Sequence, residues 1–316
     1  MKYFLPFAFL AILPLTLAQE NAADEVDEQA VQGNVHMLAG PGGNVTVQAG
    51  KQGVLLVDTG LADVSGKTLA AVRKISTGQI RYVIDTHADA DHAGGNENLR
   101  KAGKMVFAGP GAGAIRDAAE GAAVIAHENV LNRMSAPTGT KAPVPTGAWP
   151  TETYFGDQHD MFFNGESIEV IHIPNAHTDG DSMVYFRRSD VISTGDIFTP
   201  DGYPFIDIER GGSVLGEIDA LNHILELSVP LKTEEGGTYV IPGHGHICDE
   251  ADVVEYRDMV VIIKDRIQDM MKKGMNLAQI KVAKPSRDYD TEYVTETSFV
   301  KADAFVESIY KSLGGK

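Results

Sequence analysis

Between residues 80 and 92 an apolar run ending in Arg81-Tyr-Val-Ile-Asp-Thr86 passes straight into His87-Ala-Asp-Ala-Asp-His92. The first half, Ile80 to Thr86, reads as a buried strand. The second puts four side chains able to bind metal, His87, Asp89, Asp91 and His92, within six residues. A strand that ends in such a turn is a ready-made cradle for a cation. Three further candidates sit in similar settings: His177 in Asn175-Ala-His-Thr-Asp-Gly180, Asp196 in Ser193-Thr-Gly-Asp-Ile197, and His244 in Ile241-Pro-Gly-His-Gly245. Any one of these islands is a weak signal, but four in this order are specific.

The rest of the chain alternates strands and helices. Val31 to Val57 carries an apolar/polar alternation broken by glycine-rich turns, which predicts short antiparallel strands. Val54 to Val57 is read as buried. Helices are expected over Ala62–Ser76, Gly94–Lys104, Ala123–Met134, Ser213–Ser228, Ala251–Lys273, Leu277–Val282 and Phe299–Leu313. In the last of these, Phe299, Phe305, Val306, Ile309 and Leu313 form the expected buried stripe. Further strands are expected at Met105–Ala108, Ser167–Ile173, Met183–Arg187, Val191–Ser193 and Tyr239–Ile241. Ser135 to Asp160, rich in Pro, Gly and Thr, reads as a loop insertion of the kind that borders active sites.

At 316 residues the chain can bury a sizeable core. Its formal charge of −17 argues against a nucleic-acid partner, whose backbone would repel it. Lys2, the apolar stretch Phe4 to Leu17 and the small residues of Thr16-Leu-Ala18 read as a secretory signal cleaved before Gln19. An apolar stretch of about fourteen residues is short for a bilayer span, so no stable membrane insertion is expected after cleavage. Residues 19–30 read as a flexible acidic leader. The lone Cys248 allows no internal disulfide and reads as a buried small side chain near the site.

These motifs resemble the metallo-β-lactamase-fold superfamily from about Val35 to Asp249. The residues that carry the resemblance are Val57-Asp58-Thr59-Gly60, the His87–His92 cluster, His177, Thr194-Gly-Asp196 and Pro242-Gly-His-Gly245. The resemblance implies an α/β fold, an αββα four-layer sandwich over residues 31–249, with extra C-terminal helices (250–316) packed on the same domain. It implies two divalent metal ions, zinc first. His87, Asp89 and His177 would hold one and Asp91, His92 and His244 the other, with Asp196 bridging. A metal-bound hydroxide, oriented by Asp91 as catalytic residue, would attack a small-molecule substrate. Asp58 would sit behind the ligands and fix a histidine.

One position departs from the family pattern His-x-His-x-Asp-His: Asp89 stands where the second histidine belongs. The substitution adds a negative charge among the ligands and tilts preference toward harder ions such as Fe or Mn. It resembles the His-x-Glu-x-Asp-His variant of flavodiiron proteins, although the flavodoxin-like partner domain of those proteins is missing. Three states follow: a dinuclear hydrolase with altered metal choice, an enzyme using only the second metal, or a site with degraded catalysis. The first is favoured, as an exported, periplasmic or secreted hydrolase of an ester, thioester, lactone or β-lactam-type amide. Its nearest likeness is to exported quinoprotein-relay or cyclase-like members. The rivals are an iron-dependent oxidoreductase acting on sulfur compounds or oxygen, and a non-catalytic periplasmic metal-binding partner. No carboxylate-gripping Lys or Arg stands out. Thr178, Asp179 and Asp181 read as turn formers, His246 as an ordinary loop histidine and His172 as a packed one, while Tyr203 and Phe205 are read either as lining the substrate mouth or as simple packing.

Overall fold

The computed structural model describes residues 25–105, 121–137, 143–231, 236–296 and 298–315. The expected signal segment and the strand expected at Met105–Ala108, apart from Met105, lie outside the described residues.

Two sheets face each other. The first contains β1 (Asp27–Gln32), β2 (Val35–Ala39), β3 (Val45–Gly50), β4 (Gly53–Val57), β5 (Ile80–Ile84), β6 (Ala123–His127) and β7 (Glu152–Tyr154), in that spatial order. Its first four strands are antiparallel and β4 to β7 are parallel. The second sheet has the order β12-β11-β10-β9-β8, from β8 (Gln158–Phe163), β9 (Glu166–Ile173), β10 (Asp181–Phe186), β11 (Val191–Ser193) and β12 (Tyr239–Ile241). Helices α1 (Ser65–Ile75), α2 (Ala90–Ala93), α3 (Asn96–Lys101) and α4 (Glu128–Ser135) follow strands of the first sheet. The second sheet is followed by α5 (Val214–Leu227), α6 (Glu250–Lys272), α7 (Leu277–Ala283), α8 (Asp290–Tyr293) and α9 (Ala302–Ser312).

The period-2 alternation of strand side chains sorts the core into layers. Leu55 and Val57 of β4, Ile168 and Val170 of β9, and Val184 and Phe186 of β10 meet between the sheets. Their sequence neighbours Val54 and Leu56 turn outward onto Val72 of α1 and Leu99 of α3. On the far side, Ile171, Ile173, Met183 and Tyr185 turn onto Leu221 and Ile224 of α5, Tyr256 and Val260 of α6, and Phe305 and Ile309 of α9. The result is the expected αββα sandwich, with the C-terminal helices completing the outer layer. Helix α6 starts at a capping box, in which Asp249 accepts from the Ala251 and Asp252 amides and Asp252 accepts from the Asp249 amide. Among the described residues no helix is long and apolar enough to cross a membrane.

Four local expectations are corrected. Ala123–His127 is a strand, and the helix begins only at Glu128. All five strand residues are buried, because β6 lies between β5 and β7 with both faces covered, and such an apolar run carries no period to tell strand from helix. The loop read over Ser135–Asp160 contains the short strand β7 and the start of β8. The leader read up to residue 30 gives way at Asp27 to β1, a charged edge strand paired with β2. Phe299 lies outside α9 and is 84% exposed instead of joining its buried stripe.

Candidate metal centre

The candidate ligands gather at one edge of the sandwich, where β5, β9, β11 and β12 end. His87 follows β5; Asp89, Asp91 and His92 lie on the turn into and along α2; His177 links β9 to β10; Asp196 sits in a tight turn after β11; His244 follows β12. All seven residues singled out in the sequence are therefore brought together.

They form two cups that share one wall. In the first, Asp89 Oδ2 lies 3.8 Å from His177 Nε2 and 4.0 Å from His87 Nε2, and Asp196 Oδ2 lies 3.9 Å from His87 Nε2. In the second, His244 Nε2 lies 3.3 Å from both His92 Nε2 and Asp91 Oδ2. Asp196 Oδ1 is 3.1 Å from His92 Nε2 and 3.5 Å from His244 Nε2. Asp196 thus turns one oxygen to each cup. Donors bound at about 2.0–2.1 Å to a tetrahedral ion stand roughly 3.3–3.4 Å apart, so these spacings are those of a slightly open coordination shell.

The hydrogen bonds behind the cups fix the ring tautomers. Asp58 accepts from the Thr86 amide at Oδ1, and from the Thr86 hydroxyl and His92 Nδ1 at Oδ2, each at 2.8 Å. Because the Thr86 proton goes to Asp58, its oxygen accepts from His87 Nδ1 at 2.9 Å. Both histidines then turn Nε2 to the cups, and that of His87 is bare. Asp58 thereby fixes two histidines, one more than the sequence suggested. It does so from a left-handed backbone position at φ 63°, which an aspartate tolerates.

Burial makes these bare donors costly. His87 Nε2, His177 Nε2 and Asp196 Oδ1 are buried without a hydrogen-bond partner. Unpaired buried acceptors that face one another call for a cation. The charges around His92 point the same way: burial opposes its protonation, yet Asp196 and Asp58 raise its pKa well above the usual imidazole value. His87 goes in the other direction, held well below that value by burial and then by His92. A divalent ion in each cup would satisfy these atoms, so the residues fit the metal binding that the fold implies.

The backbone leaves no slack around the bridge. A Cβ on Gly243 would fall well inside contact distance of Asp196 Oδ1, and one on Gly43 would strike the His92 ring. We expect Gly243→Ala to displace Asp196 and weaken metal binding about ten-fold, read by chelator competition; unchanged affinity would mean that Asp196 does not depend on its present rotamer.

Other residues fall where the sequence placed them or close by. Thr178 donates twice to Asp181, making the expected turn, but the buried Asp181 carboxylate also lies 4.0 Å from His177 Nδ1, and burial pushes its pKa up to about 6. His172 stacks on His127 at 3.6 Å. His246 is exposed and pairs with Asp201 at 3.1 Å. Cys248 is buried, with its backbone bridged to Val240. Tyr203 both lines the mouth and packs, its ring on Phe305 and its hydroxyl turned to Asp290. Sequence reasoning missed Arg210, which binds Asp89 Oδ1.

A cavity of 470 Å³ opens onto the cups. Asp89, Asp91, Asp196 and His244 form its polar side, and Tyr203, Phe205, Phe299 and Val300 its apolar side. Phe205 and Phe299 meet edge to face at 5.2 Å, and Phe205 reaches within 5.5 Å of the His177 ring.

A model of the metallo-beta-lactamase superfamily matches residues 39–244. No curated protein matches the chain. Among solved structures, a stereoselective inverting sec-alkylsulfatase from Pseudomonas sp. is 17% identical over 92% of this chain and 50% of its own, with a TM-score of 0.62. The chain therefore spans about half the length of that sulfatase. The DIM-1 metallo-beta-lactamase is 18% identical over 75% of this chain and 97% of its own, with a TM-score of 0.54. A metallo-beta-lactamase from Pontibacter korlensis is 15% identical, covering 75% and 99%, with a TM-score of 0.55. At these identities the likeness is one of fold.

Proposed function

The chain belongs to the metallo-beta-lactamase superfamily, and from that premise we propose that it is an exported metal-dependent hydrolase of neutral esters, thioesters or lactones that carry an apolar group. The observation that carries the reading is the pair of cups sharing Asp196 on the wall of an apolar-sided cavity. Hydrolysis is also the activity for which the similar beta-lactamases and sulfatase are named. Metal ions held there, zinc first and Fe or Mn by virtue of Asp89, would supply a Lewis acid and a water nucleophile near neutral pH.

The protein's own groups supply the rest. Asp91 Oδ2, 3.3 Å from His244 and 38% exposed as a side chain, faces the cavity and is placed to orient an attacking water. The Phe205–Phe299 pair would take up the apolar part of the substrate and exclude water beside the cups. Among the described residues that line the cavity there is no Lys or Arg to grip a carboxylate or sulfate, which favours a neutral substrate over a β-lactam or an alkyl sulfate.

Elemental analysis and a panel of esters and lactones test this together. We expect about two metals per chain, turnover abolished by chelator and restored by metal, and a rate that rises with acyl length. Phe299→Ala should raise KM for long acyl esters by about ten-fold, in line with the apolar area that the exposed ring would bury against the acyl chain, and leave acetate esters unchanged. Iron content with oxygen consumption and no hydrolysis would move the reading to an oxidoreductase; metal without any turnover would favour a binding partner.

A further inference from the structure

Asp89 does not stand alone. Its Oδ2 faces the first cup, and its Oδ1 accepts from Arg210 Nη1. Arg210 is itself held from several sides. Asp207 accepts from its amide at 3.0 Å and pairs with Nε at 3.2 Å. The Arg210 carbonyl accepts from the Asp179 amide at 2.9 Å, and Asp179 is paired with Arg133 at 2.7 Å. The guanidinium arrives from behind Asp89. It lines a separate cavity of 630 Å³ with Arg133, Asn129 and Asn132, and Asp89 is the wall between that cavity and the one bearing the cups.

We propose that Asp89 and Arg210 form a single charge-compensated ligand unit, in which Arg210 fixes Asp89 with Oδ2 toward the first cup and cancels the charge that a carboxylate adds there. The inference rests on the metal-centre reading above and goes beyond it by assigning a positioning residue to the one departure from the family pattern. The charges support it. Arg210 sets a positive group directly against the added carboxylate at Asp89 Oδ1 and shares it with Asp207 at Nε, so the compensation is local to Asp89. A bidentate-capable guanidinium also selects one carboxylate rotamer, which a bare Asp89 at a turn would not keep.

The consequence runs against simple ligand chemistry. Imidazole suits zinc better than a carboxylate does, so D89H alone ought to tighten zinc binding. If the unit is real, D89H leaves Arg210 with Asp207 at Nε but takes away the anion at Nη1, beside a cation site, and weakens zinc binding instead, by about ten- to a hundred-fold, the range seen when groups behind ligands are altered. R210Q alone also weakens it, through loss of the fixed rotamer. The double variant D89H/R210Q recovers to within about three-fold of wild type, a clear departure from additivity.

Zinc affinity by chelator competition, with circular dichroism on the apo forms, reads all four proteins without any assay of turnover. Tighter binding by D89H with Arg210 intact, or a double variant that merely sums the two losses, overturns the unit while leaving the metal centre standing. A wild type that binds no metal overturns both. Should D89H fail to fold, Asp89→Asn with and without R210Q closes the same cycle, because asparagine too removes the anion at Arg210 Nη1.

Discussion

Asp196→Asn is expected to empty both cups at once. Asp196 gives Oδ2 to the first cup and Oδ1 to the second, and Oδ1 is buried without a hydrogen-bond partner. An asparagine amide nitrogen has no lone pair to offer a metal, so whichever way the side chain turns one cup loses its shared donor. The other keeps only a neutral carbonyl in place of a carboxylate. Elemental analysis should fall from about two metals per chain to near zero, whereas Asp91→Asn should lose only the second ion. Metal at a thousand-fold excess over its dissociation constant stabilises a folded protein by about 4 kcal/mol. Spread over a chain of this size, that amounts to about 10 °C in Tm, which the variant should no longer show. Hydrolysis should drop on the order of 10³-fold or more, since several kcal/mol of charge stabilisation leave with the ions. Retention of one full equivalent of metal would falsify the shared role of Asp196.

The ligand set could be read from the chain because each donor occupies a short, stiff feature with its own signature. His87 follows an apolar strand, Asp196 follows Val-Ile-Ser, and His244 lies in Pro-Gly-His-Gly, so sequence position already implied a strand end. The strands Val54-Leu-Leu-Val57 and Met183-Val-Tyr-Phe186 were legible as short apolar runs bounded by polar and glycine-containing turns, while their division between two cores followed only from the layering that the family resemblance implied.

What escaped the sequence was set by partners far along the chain. Arg210 lies 121 residues from Asp89, and nothing in its local pattern, Ile208-Glu-Arg-Gly211, marks it as facing a metal ligand. Strand β6 escaped because burial on both faces removes the alternation that would have named it. Phe299 fits the spacing of the α9 stripe, yet the helix starts three residues later and the ring goes to Phe205 at the cavity mouth. Each of these misses is a tertiary contact overriding a local pattern. Two of them lie close to the site: Phe299 lines the cavity of the cups, and Arg210 backs Asp89 from the separate cavity behind it.

Asp58→Asn is expected to disable the centre without touching a ligand. Asp58 accepts three hydrogen bonds, from the Thr86 amide, the Thr86 hydroxyl and His92 Nδ1. Asparagine can accept on one atom only. If its oxygen faces Thr86 Oγ1 and His92, its amide group meets the Thr86 N–H donor head on. If it turns over, the amide donates to His92 Nδ1 and forces the proton onto Nε2, the atom that points at Asp196 and the second cup. The Thr86 hydroxyl then loses its acceptor and no longer orders His87. Either arrangement should cost about 1–3 kcal/mol in denaturant unfolding of the apo protein. Metal affinity should fall about ten- to a hundred-fold. The backbone gives no reason for loss of fold, because asparagine accepts the left-handed conformation at least as readily as aspartate. The deciding measurement is the nitrogen-15 signature of His92: the wild-type ring should carry its proton on Nδ1, and the variant should show Nε2–H or a mixture. A variant that loses stability yet keeps both its His92 tautomer and its metal affinity would reduce Asp58 to a structural brace, and the tautomers of His87 and His92 would then be set by the ions alone.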